Sequence, residues 1–252
     1  MTEKTRIKAV FSDAGGILFD DSDIKNSLRD YFVEKNLSGK IGRRGGLERS
    51  IESGFSESSH SLLESLSESY REYKTKAQTI EGYSSENAYR DTFEAMGLGE
   101  EYESFIAWNK ERPRIERLLN SGVKETIEKL KTKGIMFIVL TDATKHGKDL
   151  EGQLEKMGLE KGKYVTDIIS SKDLGVKKPD KRFFDFALQK YGLKKEEVIF
   201  LGHDVDEIQG ANSLGYSTVA YNYRAEDAQR LSCSQKICNF KDLIGLIDNR
   251  GK

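Results

Sequence analysis

The chain has 252 residues, with 41 Lys and Arg set against 42 Asp and Glu for a formal net charge of −1. That near-cancellation excludes bulk binding to nucleic acid or to an acidic membrane surface, which needs a basic field. No apolar run approaches a membrane span, the polar N-terminus lacks the apolar stretch of a signal peptide, and the only cysteines, Cys233 and Cys238, have no redox or zinc-ligand spacing; a soluble cytoplasmic protein with reduced thiols is expected.

In chain order, residues 7–12 read as a short apolar strand. It stops at Asp13, which is followed by Ala14, Gly15, Gly16 and a second apolar stretch that ends at Asp20. A carboxylate just past the C-terminal end of a strand sits where open α/β sheets bind ligands, and the two glycines let the backbone approach a ligand closely. Residues 21–117 hold no convincing strand. Leu28, Tyr31 and Phe32, then Leu62, Leu63 and Leu66, then Tyr89, Phe93 and Met96 recur at helical spacing, and a glycine-rich loop carries Arg43 and Arg44, candidates to meet an anionic substrate. Beyond residue 118, strands are expected at 135–140, 165–170, 198–202 and 217–221, alternating with helices at 121–133, 150–157, 181–191 and 207–214. Alternation of this kind builds βαβ units and a parallel sheet. The expected organisation is an α/β core from residues 1–20 and 118–252, interrupted by an all-α module at 21–117.

Chemistry gathers at four strand ends. Asp13 follows the first strand. Thr141 and Asp142 follow the second and offer a hydroxyl that can donate to an anion. Lys178 stands before Pro179 at the start of a helix, a good place to neutralise phosphate or a carboxylate nucleophile. Asp204, Asp206 and Glu207 follow Gly202-His203 and supply the hard oxygens that Mg²⁺ prefers. Each piece alone is ordinary, since an Asp after a strand is usually a turn or cap residue and a Lys-Pro dipeptide carries little information.

In this order the four pieces resemble the haloacid dehalogenase-like (HAD) hydrolases. The resemblance covers residues 7–20 and 122–223, and is densest through Lys178-Pro179-Asp180, Phe183 and Gly210-Ala211-Asn212-Ser213-Leu214-Gly215. It implies a Rossmann-like parallel-sheet core with an all-α cap inserted after the first motif. It implies a Mg²⁺-dependent phosphatase acting on a small phosphorylated metabolite through an aspartyl-phosphate on Asp13. In that picture Thr141 binds phosphate and Lys178 balances charge. Gly15, Gly16 and Asp142 line the substrate. Asp13, the Gly15 carbonyl, Asp204, Asp206 and Glu207 hold the metal, with Mn²⁺ an option if His203 ligates directly.

The chain departs from the family pattern in three places. Gly15 stands where a second Asp usually protonates the leaving group, Ile17 replaces a Thr, and His203 replaces the Asp of a Gly-Asp pair. His203 is then a candidate acid/base or orienting group, because its ordinary pKa lies near neutrality. Two other readings stay open at this point: a 2-haloacid dehalogenase, whose attack on carbon needs neither cation nor acid, and a HAD fold retained for binding or regulation. The oligomeric state is not legible.

Overall fold

The computed structural model describes residues 6–20, 22–37, 58–112, 117–231 and 235–250. Arg43, Arg44 and Cys233 lie outside the described residues, while Cys238 is an exposed free thiol. The chain divides into two compact units, one formed by Met1–Asp21 with Arg117–Lys252 and the other by Ser22–Glu116.

The first unit is built on a six-stranded parallel sheet. Its strands are β1 (Ala9–Ser12), β2 (Met136–Thr141), β3 (Asp167–Ser170), β4 (Val198–Gly202), β5 (Ser217–Tyr221) and β6 (Gln235–Ile237), in the spatial order β3-β2-β1-β4-β5-β6. The strands are short apolar runs because helices cover both faces, as a parallel sheet requires. Alternate residues divide between two cores. Val10, Val139 and Leu201 pack with Val123, Ile127 and Leu130 on one face. Phe11, Ile138 and Phe200 pack with Phe183, Phe184 and Ile208 on the other. The strand order reverses beside β1, so the crevice past its C-terminal end is the expected ligand position of this topology.

Helices of the second unit come first in the chain: α1 (Ser22–Glu34), α2 (Ser58–Thr79), α3 (Ser85–Ala95) and α4 (Tyr102–Glu111). The sheet unit adds α5 (Val123–Thr132), α6 (Gly147–Lys156), α7 (Ser171–Leu174), α8 (Lys181–Tyr191), α9 (Val205–Ser213) and α10 (Asp242–Arg250). Local chemistry sets the ends. Asp180 accepts from the Arg182 N–H to open α8, and Gly192, at φ +61°, closes it. The second unit is all-helical among the described residues. Tyr31 packs edge to face on Phe93 and Phe105 at its centre, with Leu28, Phe32 and Leu66 around them.

The expected strands and the helix at 181–191 are present. Several starts differ: α9 begins at Val205 rather than 207 because Asp204 caps it, α6 begins at Gly147 rather than 150, and β1, β2, β3 and α5 each begin one or two residues later than expected. The edge strand β6 and the helix α10 were not anticipated. In β6 only Ile237 is buried, so its three residues carry no readable apolar period.

Candidate active site at the strand ends

β1 delivers Asp13 to the centre of the sheet's C-terminal edge. Its backbone N–H donates to Leu201 O of β4 at 3.0 Å, and the residue is only 6% exposed. The following loop folds back on itself: the Gly16 N–H donates to Phe19 O and the Leu18 N–H to Ala14 O, both at 2.8 Å. Gly16 takes φ +76°, a left-handed conformation that suits glycine. Ile17, where the family pattern has Thr, is fully buried in the sheet core.

Lys178 arrives from the turn before α8. Its backbone N–H donates to Asp142 Oδ1 at 3.0 Å, tying the end of β2 to this turn. The Lys178–Pro179 peptide is cis. Gly210 of α9 lies against Pro179, so closely that a Cβ built at Gly210 would stand 2.1 Å from Pro179 Cβ. That is the physical reason for a glycine in the Gly210-Ala211 pair: any side chain would push α9 off the turn that carries the lysine.

The Lys178 ammonium is completely buried and donates to Asp13 Oδ1 at 2.7 Å and to Glu207 Oε2 at 2.8 Å. Burial works to lower the lysine pKa, but Asp13, Glu207 and Asp142 together raise it, so Lys178 stays cationic. The carboxylates feel the converse. Burial raises the Glu207 pKa to about 8, with Asp13 and Asp142 adding to the rise and Lys178 opposing it. Asp142 is also raised, chiefly by burial. One ammonium thus faces an excess of acid, which favours the protonated form of Glu207. Perturbation of this kind, from burial plus specific charges at the mouth of a sheet, marks functional sites.

His203 follows β4. Its Nδ1 lies 3.6 Å from Asp13 Oδ2, and its ring covers Gly16, where an added Cβ would meet His203 Cε1 and Nε2 at 2.8 Å. Thr141 ends β2, two positions beyond Val139, which faces Ser12; it is buried. The structure therefore brings Asp13, Lys178, Glu207 and Asp142 into one charge cluster, with His203 against Asp13 and Thr141 on the neighbouring strand end.

Asp204 and Asp206 do other work. The Asp204 side chain caps α9, accepting from the N–H groups of Asp206 at 2.9 Å and Glu207 at 3.2 Å. Asp206 is 82% exposed and pairs with Arg230 at 3.3 Å. The cause is local: an aspartate immediately before a helix meets the free amides of the first turn. Mg²⁺ requires an octahedral set dominated by oxygen at about 2.0–2.1 Å. Asp13 and the Gly15 carbonyl are available to such a set, but the end of β4 contributes an imidazole, and Glu207 is committed to Lys178. Among the described residues no group of three His, Cys, Asp or Glu side chains is arranged to hold a metal. This donor set does not fit Mg²⁺.

Two further residues hold the Asp13 loop and carried no sequence signal strong enough to single them out. Asn222, just past β5 and itself at φ +54°, donates from Nδ2 to Gly16 O at 2.7 Å. Asn120 donates from Nδ2 to Ile17 O at 2.9 Å and from its backbone to Leu18 O at 2.8 Å. A polar residue directly after the fifth apolar strand was the available clue for Asn222.

Residues 54–221, more than half of the chain, match the family model described as haloacid dehalogenase-like hydrolase. That match begins after Asp13, so the role of Asp13 rests on its geometry. A glyceraldehyde 3-phosphate phosphatase of Pyrococcus furiosus is 25% identical over 225 residues, covering 86% of this chain and 82% of that protein. An (S)-2-haloacid dehalogenase 4A of Burkholderia cepacia is 31% identical over 98 residues, 39% of this chain and 41% of its own. The crystal structure of a 2-haloacid dehalogenase from Pseudomonas syringae pv. Tomato shares the fold, with a TM-score of 0.56 at 22% identity over 96% of this chain and 99% of that one. Parallel strand order, the residues at the strand ends and this span of similarity lead to one conclusion: the chain belongs to the haloacid dehalogenase-like hydrolases.

Proposed function

We propose that the protein hydrolyses a small phosphate monoester or acyl phosphate, with Asp13 as the nucleophile. The observation that carries this reading is the buried Lys178 ammonium, clamped between Asp13 and Glu207 where the β1 carboxylate meets the crevice. A carboxylate oxygen of Asp13 attacks phosphorus, the bond to the leaving oxygen breaks, and an aspartyl-phosphate forms. Water then attacks this intermediate, releasing phosphate and restoring the carboxylate. Lys178 donates to Asp13 and offers fixed positive charge to the transferring group, while Thr141 supplies a hydroxyl from the adjacent strand end. The similarity to the pyrococcal phosphatase over most of both chains supports a phosphorylated substrate. Gly15 brings no carboxylic acid to the leaving group, so substrates with good leaving groups are favoured. The helical unit, placed in the chain after the Asp13 loop, takes the substrate-selecting role of a cap.

The second reading is displacement of halide from a 2-haloacid by the same Asp13, followed by hydrolysis of the ester. It is favoured by the imidazole and ammonium beside Asp13, which suit a reaction without a cation, and by the Burkholderia relative.

One assay separates the two: acetyl phosphate, p-nitrophenyl phosphate and 2-chloropropionate are offered to the wild type and to Asp13→Asn. Phosphate release that disappears in the variant is the expected result. Halide release instead moves the assignment to the dehalogenase. Turnover of the phosphates that survives Asp13→Asn overturns the nucleophile.

A further inference from the structure

The residue after β4 decides whether a divalent cation belongs at Asp13. His203 occupies that place, with its Nδ1 3.6 Å from Asp13 Oδ2 and its ring packed on the Gly16 backbone. Asp204, one residue later, is held by the first turn of α9, and Asp206 is held by Arg230 in solvent. The other oxygen of Asp13 is bonded to the Lys178 ammonium. We infer that this hydrolase works without a divalent cation, the His203 ring filling the space beside Asp13 and Lys178 providing the charge. The inference rests on the Asp13-centred hydrolysis proposed above, and it concerns how charge is supplied rather than which substrate is used.

The argument is one of donor chemistry and space. A hard cation between Asp13 and the end of β4 would have to accept an imidazole nitrogen in place of a carboxylate, whereas Mg²⁺ selects oxygen donors. To recruit Asp204 instead, the chain would give up the N-cap that holds the first turn of α9. Moving His203 aside would also uncover Gly16, on which it packs.

The test reads metal binding directly, so it does not depend on finding the substrate. Protein stripped with EDTA and desalted is melted with and without millimolar Mg²⁺, beside His203→Asp and Asp204→Asn. Because a ligand that binds only the folded state raises its melting temperature, the wild type is expected to shift by less than about 1 °C and His203→Asp by several degrees. Wild-type stabilisation by Mg²⁺ that Asp204→Asn removes would overturn the inference, as would calorimetric Mg²⁺ binding to the wild type at micromolar strength. If His203→Asp folds with a wild-type circular dichroism spectrum and still ignores Mg²⁺, the assignment of His203 to the cation's place is wrong. Where any phosphate or halide turnover is measurable, it should change by less than about twofold on adding EDTA, far inside the effect of losing a functional metal ligand shell. Absence of all turnover would count against the Asp13 reading alone, because the melting experiment still returns its own answer.

Discussion

Two buried carboxylate–lysine clusters lie at opposite ends of the same sheet, and they differ in how their charge is balanced. At the N-terminal end, Asp167 opens β3 and receives Lys190 Nζ at 2.6 Å, Tyr191 Oη at 2.7 Å and Lys161 Nζ at 3.2 Å. Burial opposes its charge, but these donors outweigh burial and hold the carboxyl below the usual range. Both lysines there are partly exposed to solvent. At the C-terminal end the proportions are inverted: a single, completely buried lysine serves Asp13 and Glu207, with Asp142 nearby, and burial raises Glu207 and Asp142. The first arrangement satisfies a charge. The second sets several buried acids around one ammonium, beside the carboxylate proposed as the nucleophile. Oversupply of buried acid, more than the presence of an ion pair, distinguishes this end of the sheet.

Removing the charge that centres each cluster, the lysine at one end and the aspartate at the other, sharpens this contrast most. Lys178→Met leaves Asp13 and Glu207 buried without their partner, so turnover should fall by about 10²–10³-fold, the scale for losing a preorganised charge. Stability should drop by about 3 kcal/mol, as when one member of a buried pair is deleted. Steady-state kinetics and urea unfolding measure the two effects. At the other end, Asp167→Asn should cost about 1–2 kcal/mol through lost charged hydrogen bonds, with turnover changed less than about twofold. Equal damage to turnover in both variants would break the distinction between the clusters.

Much of this was legible in the sequence. Apolar runs of four to six residues gave the strands, and a carboxylate, a hydroxyl or a lysine beside four of them marked the crevice, because strand ends in a parallel sheet converge regardless of loop detail. What the spacing could not decide was which acid of Asp204, Asp206 and Glu207 turns inward. That depends on helix phase. Asp204 falls at the N-cap and is drawn to the amides; Asp206 lands on the solvent side; Glu207, one residue on, reaches Lys178. Asn222 was invisible for a related reason, since its role depends on a left-handed backbone after β5 that brings its amide to the Gly16 carbonyl. Distances of this kind come from tertiary packing and leave no period in the sequence.

The acid excess has its own signature in pH. Glu207 in the folded protein is raised to about 8 from its ordinary 4.5. A raised pKa contributes stability that is complete below the unfolded value and is lost as pH climbs through the folded one. Between about pH 4.5 and 8 the wild type should therefore lose stability through this group, and Glu207→Gln, which cannot ionise, should not. Chemical unfolding at pH 5, 6, 7 and 8 is expected to show the variant gaining on the wild type as pH rises. Parallel stability curves would mean that Glu207 is already ionised at pH 5 and that the cluster carries no stored acidity.

The smallest expected effect concerns what the working cluster lacks. Its acids are tied to Lys178, and Gly15 places no carboxyl at the position from which a leaving group is usually protonated. Departure of p-nitrophenolate needs little protonation, whereas an alkoxide needs a proton as the bond to phosphorus breaks. General acid help is worth about 10²–10⁴-fold in a site shaped for it; a single introduced acid should deliver the lower part of that, about tenfold. Gly15→Asp is thus expected to raise turnover of an alkyl phosphate such as glycerol phosphate about tenfold relative to its effect on p-nitrophenyl phosphate. The ratio of the two substrates is the decisive quantity, because a general loss of folding or of Asp13 alignment lowers both together. An unchanged ratio in a folded variant would show that position 15 does not face the leaving group.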